Sequence, residues 1–256
     1  MSFKHAVAAL AAATSLSAAA GEYTDLWWNP QESGWGANIV QQGETAFVTL
    51  FVYAPDGKPT WYVVPAAQVF AYDNAGHPAF RGTLYRTQGP WLGGPFDASK
   101  VQVQPAGNMV IEPAPGGSII LEYQADGVTV SKSLVRQTFD APYLGTTYHG
   151  SFRLRQAAPG QAPWGTRDYT GDVMVHVDAG QAFVRVDEGT GRCEYRGPYA
   201  QSGKFARIAG EYECADGAHG TFEITDFEVT RHGITGYLRT WSPALNQYGR
   251  FAAARF

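Results

Sequence analysis

One carboxylate in this chain sits among indoles. The stretch "LWWNPQESGWG", Leu26 to Gly36, places Glu32 close to Trp27, Trp28 and Trp35. A carboxylate in such a setting either pairs with a cation, Arg86 of "LYRTQG" being one candidate, or has its pKa raised by desolvation. Left accessible, it accepts a hydrogen bond from a sugar hydroxyl, with the indoles offering flat apolar surface. General acid catalysis would need a second carboxylate at a defined separation, and nothing in the spacing of Asp25, Asp56 or Asp73 sets their distance from Glu32. Ser33 has Gln31 two positions before it, which removes the nucleophile elbow of esterases. His77, His149, His176, His219 and His232 are scattered, and a hydrogen-bonded or solvated imidazole is the expectation for each. Neither a metal nor a cofactor is expected.

Cys193 and Cys214 are the two cysteines, and an even pair in an exported chain reads as a disulfide. The segment between them alternates apolar and aromatic residues on both sides of "SGK", as a long hairpin does. Counting inward symmetrically sets Tyr195 opposite Tyr212 and Gly197 opposite Gly210, with the turn between Gly203 and Lys204. The cysteines then face each other at about 4.5 to 5.5 Å between α-carbons, a span that a disulfide tolerates. Pro198 cannot donate to a ladder and is expected at an edge or bulge. A zinc site would need further ligands at a usual spacing, and the sequence has none.

The elements that must position these residues are strands. Short β-prone runs recur between turn signals, as in "ETAFVTLFVYAPDGKPTWYVV", where Pro55, Asp56 and Gly57 supply the turn. No segment after the first residues carries a helical stripe. The pattern restarts after Asp140, and a second set of strands runs from "YHGSFRLRQ" to "YGRFAAARF". Strands joined by short hairpins need closure to hide their edges. The expected fold is therefore all-β, with two antiparallel up-and-down barrels in tandem, residues 21–140 and 141–256. Limited proteolysis is expected first between Asp140 and Asp168, in "QAAPGQAPWG".

Residues 1–20 read as a cleaved export signal: Lys4 precedes the alanine-dominated run Ala6 to Ala20, which ends in small residues. That run is shorter than the roughly 20 apolar residues of a spanning helix. No later segment makes a transmembrane helix, so a secreted or periplasmic location is expected. A formal net charge of −4 without a basic stripe argues against nucleic acid.

Within the opening stretch, Asn29 and Pro30 fit the first two positions of a β-turn. Neighbours in a strand point to opposite faces, so Trp27 and Trp28 cannot both enter one interior. Trp35 lies between Gly34 and Gly36, which suits an indole lying flat on backbone. A tryptophan closing a barrel end under an arginine from the last strand is similar to the lipocalin arrangement. The expectation is Trp35 as that plug and Arg136 of "LVRQTF" as that arginine.

"LWWNPQESGWG", "FVYAPDGKPTWYV", "FRGTLYRTQGP" and "SKSLVRQTF" together resemble a module found in secreted bacterial proteins, alone or appended to extracellular enzymes. The similarity covers about Tyr23 to Phe139, and "CEYRGPYAQSGKFARIAGEYECADGAHGTFE" resembles the companion segment that often follows it. The resemblance implies location and fold, and it carries over no catalytic residues.

Three function classes follow. The first is an exported binding or interaction module for a carbohydrate, a lipid or another apolar ligand, or a cell-surface protein, with Trp28, Glu32, Trp61, Tyr62 and Trp91 as ligand-binding candidates. Trp61 and Tyr62, being adjacent, divide between two faces. The second is an outer-membrane barrel, for which Arg250 and Arg255 would have to face the lumen or the rim. The third is a secreted enzyme with an unfamiliar site built on Glu32.

Overall fold

A computed structural model of the chain describes residues 22–139, 142, 144–162, 164–189 and 191–255. The export signal expected over residues 1–20 lies outside the described residues. Among the described residues, sixteen strands form two closed antiparallel barrels of eight strands each. The first holds β1 (Asp25–Trp28), β2 (Gly36–Gln42), β3 (Thr45–Tyr53) and β4 (Pro59–Tyr72), then β5 (Pro78–Gln88), β6 (Gln102–Ala114), β7 (Ser118–Ala125) and β8 (Val128–Arg136). Each strand pairs with the next, and β8 closes on β1. The second holds β9 (Thr146–Ala157), β10 (Gly165–Asp178), β11 (Gln181–Asp187) and β12 (Arg192–Ser202), then β13 (Phe205–Cys214), β14 (His219–Val229), β15 (Gly233–Trp241) and β16 (Asn246–Ala254), with β16 closing on β9. The stretch "QAAPGQAPWG" is the β9–β10 connection inside the second barrel, so it does not separate the two strand sets.

Period-two alternation drives both closures. In β3, Ala46, Val48 and Leu50 point inward and are buried, whereas Phe47 and Phe51 stand outside. The first interior is filled by side chains such as Ile39, Leu84, Ile111, Leu121 and Leu134, and the second by Phe152, Val175, Ile208, Phe222 and Leu238. Each such burial contributes about 1.5 to 3 kcal/mol. An eight-stranded barrel is just wide enough for its own side chains. The outer surface of the second barrel carries arginines: Arg250 lies across the ladder from Tyr237 and Arg153, facing out in mid-strand. In the second barrel an apolar inside and an arginine-bearing outside invert the pattern of a membrane barrel, which counts against the outer-membrane reading for that barrel. Among the described residues, no helix is long and apolar enough to cross a membrane.

The end of the first barrel where β8 finishes is sealed by Trp27, Tyr23 and Phe80. Trp27 is 0 % exposed and its Nε1 donates to the Tyr23 carbonyl at 2.8 Å. The Arg136 guanidinium lies 4.5 Å from the centre of the Trp27 ring. The arginine is the one expected and the indole is not. Trp27 is the direct ladder partner of Arg136, while Trp35 belongs to the β1–β2 loop. Gly36 serves Trp27 too, since a Cβ there would meet the Trp27 carbonyl at 2.6 Å.

The same guanidinium faces the second barrel, 5.0 Å from the Phe205 ring. Asp25 pairs with Arg136 at 3.2 Å and accepts from the Lys204 amide at 3.1 Å, and the Gly203 amide donates to Thr138 Oγ1 at 2.9 Å. The tip of the β12–β13 hairpin thus sits on the sealed end of the first barrel. Gly203 has φ +60°, and a Cβ there would lie 2.2 Å from Asp25 Oδ2, so no larger residue fits this joint. Burial pulls the Arg136 pKa down and Asp25 pulls it back; the guanidinium stays charged.

Cys193 and Cys214 are bonded as directly opposed residues, 4.0 Å apart at Cα, and Tyr195 lies across from Tyr212 as counted. Pro198 is not at an edge, because a closed barrel has none. It partners Gln181 of β11 where the β12–β13 ladder is interrupted. Replacing both cysteines by serine should cost about 3 kcal/mol in the chain-entropy view, read as a lower denaturant midpoint of the second barrel.

Candidate functional site

The β1–β2 loop leaves the sealed end and crosses to the opposite rim of the first barrel. Asn29 starts its turn: Oδ1 accepts from the Gln31 amide at 2.9 Å, and the backbone carbonyl accepts from the Glu32 amide at 3.0 Å. Pro30 occupies the following position, where its fixed φ suits the turn. The loop brings Glu32 and Trp35 over the ends of β3, β7 and β8. There they line a notch of about 230 Å³ together with Val52, Tyr53, Tyr123, Val130 and Lys132.

Glu32 is held by Lys132, whose Nζ donates to Oε1 at 2.7 Å. That hydrogen bond keeps the Glu32 carboxyl below the usual glutamate range. Both members of the pair are more than a third exposed or close to it, at 40 % and 34 %. A ligand entering the notch therefore meets a carboxylate and an ammonium side by side against an indole. The notch contains one carboxylate among the described residues, not the two that glycoside hydrolysis uses.

Arg86, one candidate partner of Glu32, is engaged elsewhere. It bonds Asp126 and donates to the Tyr62 hydroxyl at 2.9 Å, while that hydroxyl donates to Asp126 at 3.1 Å. Asp126 is the first residue of the Asp-Gly turn joining β7 to β8, with φ +52°. Tyr62 is 6 % exposed, so it faces the interior and is not a ligand platform. Its ring is 6.5 Å from that of Tyr123, beneath the notch. Trp61 faces out from the adjacent position at 49 % exposure, beside its ladder partner Phe51. Trp28 is half-buried on the outer side of β1, and Trp91, 81 % exposed, tops the β5–β6 loop. None of these three lines the notch, so of the five binding candidates it gathers only Glu32. Trp35, expected as a plug, lines it as well.

Lys132 is the residue that sequence reasoning missed, although a signal existed. Val130, Lys132, Leu134 and Arg136 occupy alternate positions of β8 and share its inner face, so the alternation that finds Leu134 in the core also directs Lys132 to the rim. Among the described residues, no group of three histidine, cysteine or carboxylate side chains could hold a metal ion. No protein-family model matches the chain, and no curated protein matches it significantly.

Proposed function

We propose that the protein is an exported binding module whose first barrel holds carbohydrate at its rim. The observation that carries this reading is the accessible Glu32–Lys132 pair beside Trp35, over a barrel interior already filled with side chains. A carboxylate next to an ammonium offers acceptors and donors to vicinal hydroxyls, and an indole stacks on the apolar face of a sugar. A filled interior leaves no lumen for an acyl chain, which favours a sugar over a lipid. Export is supported by the Cys193–Cys214 disulfide, by the apolar N-terminal run and by the resemblance to secreted modules.

Titrating the mature protein with neutral hexasaccharides (cello-, chito-, xylo- and malto-) while following tryptophan emission tests the reading. One member should bind, and Glu32→Gln or Lys132→Gln should weaken it about tenfold or more, the scale of a lost hydrogen bond to a charged group. Trp91→Ala should leave affinity unchanged. The lowered pKa sets the pH dependence: the ionised carboxylate persists below the ordinary glutamate range, so binding should be flat from neutral to mildly acidic pH and fail only in stronger acid. If no hexasaccharide binds, or both rim variants bind like the parent, the notch is not the site.

A further inference from the structure

The second barrel carries a separate surface, on the outer side of the seam where β16 closes on β9. Two ladder rows cross it. Tyr237, Arg250 and Arg153 form one, and Arg239, Tyr248 and Arg155 form the next, so a ring stands between two cations in the second row, and cation and ring alternate along β15 and β16 while β9 presents two arginines. The Arg239 guanidinium lies 5.3 Å from the centre of the Tyr237 ring, and that of Arg155 lies 5.8 Å from the centre of Tyr248. Trp164 meets Tyr248 edge-on at 5.0 Å. With Trp241 these rings frame a depression of about 320 Å³ into which Arg239 also projects.

Of the four arginines here, only Arg153 has a carboxylate partner within ion-pair distance among the described residues. Arg153 has Asp168 at 3.7 Å. Glu223 is the ladder neighbour of Arg239 but is held by Arg207 at 2.7 Å. Among the described residues, no carboxylate lies within ion-pair distance of Arg155, Arg239 or Arg250. Three uncompensated guanidiniums on one face of a chain with net charge −4 make a local anion-binding surface.

We infer that this seam face binds an acidic polysaccharide in which charged and neutral sugars alternate. Adjacent strands are about 4.8 Å apart, so the backbones at Arg239 and Arg155 stand about 10 Å apart with that of Tyr248 between them, and their guanidiniums reach over Tyr237 and Tyr248. That interval is comparable to the length of a disaccharide: each guanidinium takes a carboxylate or sulfate, and the ring between them takes the apolar face of the neutral sugar. A nucleic acid, with a charge at every nucleotide, has no neutral unit to place on that ring and is repelled by the remaining acidic surface. The inference does not depend on the notch of the first barrel, which lies in a different strand set.

Calorimetric titration with a hyaluronate decasaccharide, neutral dextran and a single-stranded oligodeoxynucleotide of matched charge is the test. Hyaluronate should bind, more weakly as salt rises, and dextran should not. The double variant Arg155→Gln/Arg239→Gln should lose at least tenfold in affinity, and Trp241→Ala should lose several-fold. Both must melt like the parent, since these side chains are on the surface. Glu32→Gln is the control and should leave hyaluronate binding unchanged, which keeps a failure here distinct from a failure at the notch. Equal binding of hyaluronate by parent and double variant, preference for the oligonucleotide, or no binding of hyaluronate would each overturn the inference.

Discussion

Arg136→Ala should destabilise the protein by about 3 to 5 kcal/mol, the range for removing one partner of a buried ion pair. The side chains of Arg136 and Asp25 are only 9 % and 11 % exposed. Without the guanidinium, Asp25 keeps a buried charge satisfied only by amides, and Trp27 and Phe205 lose the cation between them. Arg136→Lys should recover part of the loss, because an ammonium restores the charge but not the planar group that lies against two rings. Chemical denaturation measures the cost, and limited proteolysis measures its second consequence. The connection 137–145 should be cut faster in Arg136→Ala, as the hairpin tip at Gly203 and Lys204 loses its seat. A variant with parental stability and parental cleavage would mean that the arginine does not hold the barrels together.

Trp27→Ala should cost about 3 to 5 kcal/mol as well, for a different reason: it empties a large volume in a core that cannot fully collapse. Trp35→Ala should cost clearly less, since that indole stands at the notch and is half-exposed, though it touches the core from above. Thermal melts of the two variants side by side decide this. If Trp35→Ala were the more damaging, the sealed end would lie under Trp35, against the buried position found for Trp27.

The contrast between these two indoles shows what was legible in the sequence. Alternation in "TAFVTLFVY", the Pro-Asp-Gly turn at Asp56 and the symmetric count between the cysteines are local signals. Strand number, hairpin order and the disulfide register follow from them without tertiary knowledge. Which of Trp27 and Trp28 turns inward is set by the pairing of β1 with β8, a register between segments more than a hundred residues apart. Arg136 was identifiable as a stacking arginine because it ends the last strand of the set. Its ring was not, because flanking glycines drew attention to Trp35. The partner of Glu32 shows the same limit. Arg86 belongs to β5, four strands from β1 and so across the barrel from it, whereas Lys132 belongs to β8, which ring closure brings alongside. The seam arginines come from three strands, β9, β15 and β16, and form a face only after β16 meets β9. Along the chain they look like ordinary surface cations in an acidic protein.

On the proposed reading, a neutral sugar binds on the rim of the first barrel and not inside it. The chain's seven tryptophans make this directly observable by fluorine NMR of the protein labelled with 5-fluorotryptophan, each resonance assigned by single replacement. On titration with the hexasaccharide that binds most tightly in the panel, the Trp35 resonance should move and saturate with the same affinity as tryptophan emission. Trp27, sealed beneath Arg136, should not move, and neither should Trp91. A shift at Trp27 with Trp35 unchanged would place the ligand in the barrel interior and contradict binding at the rim.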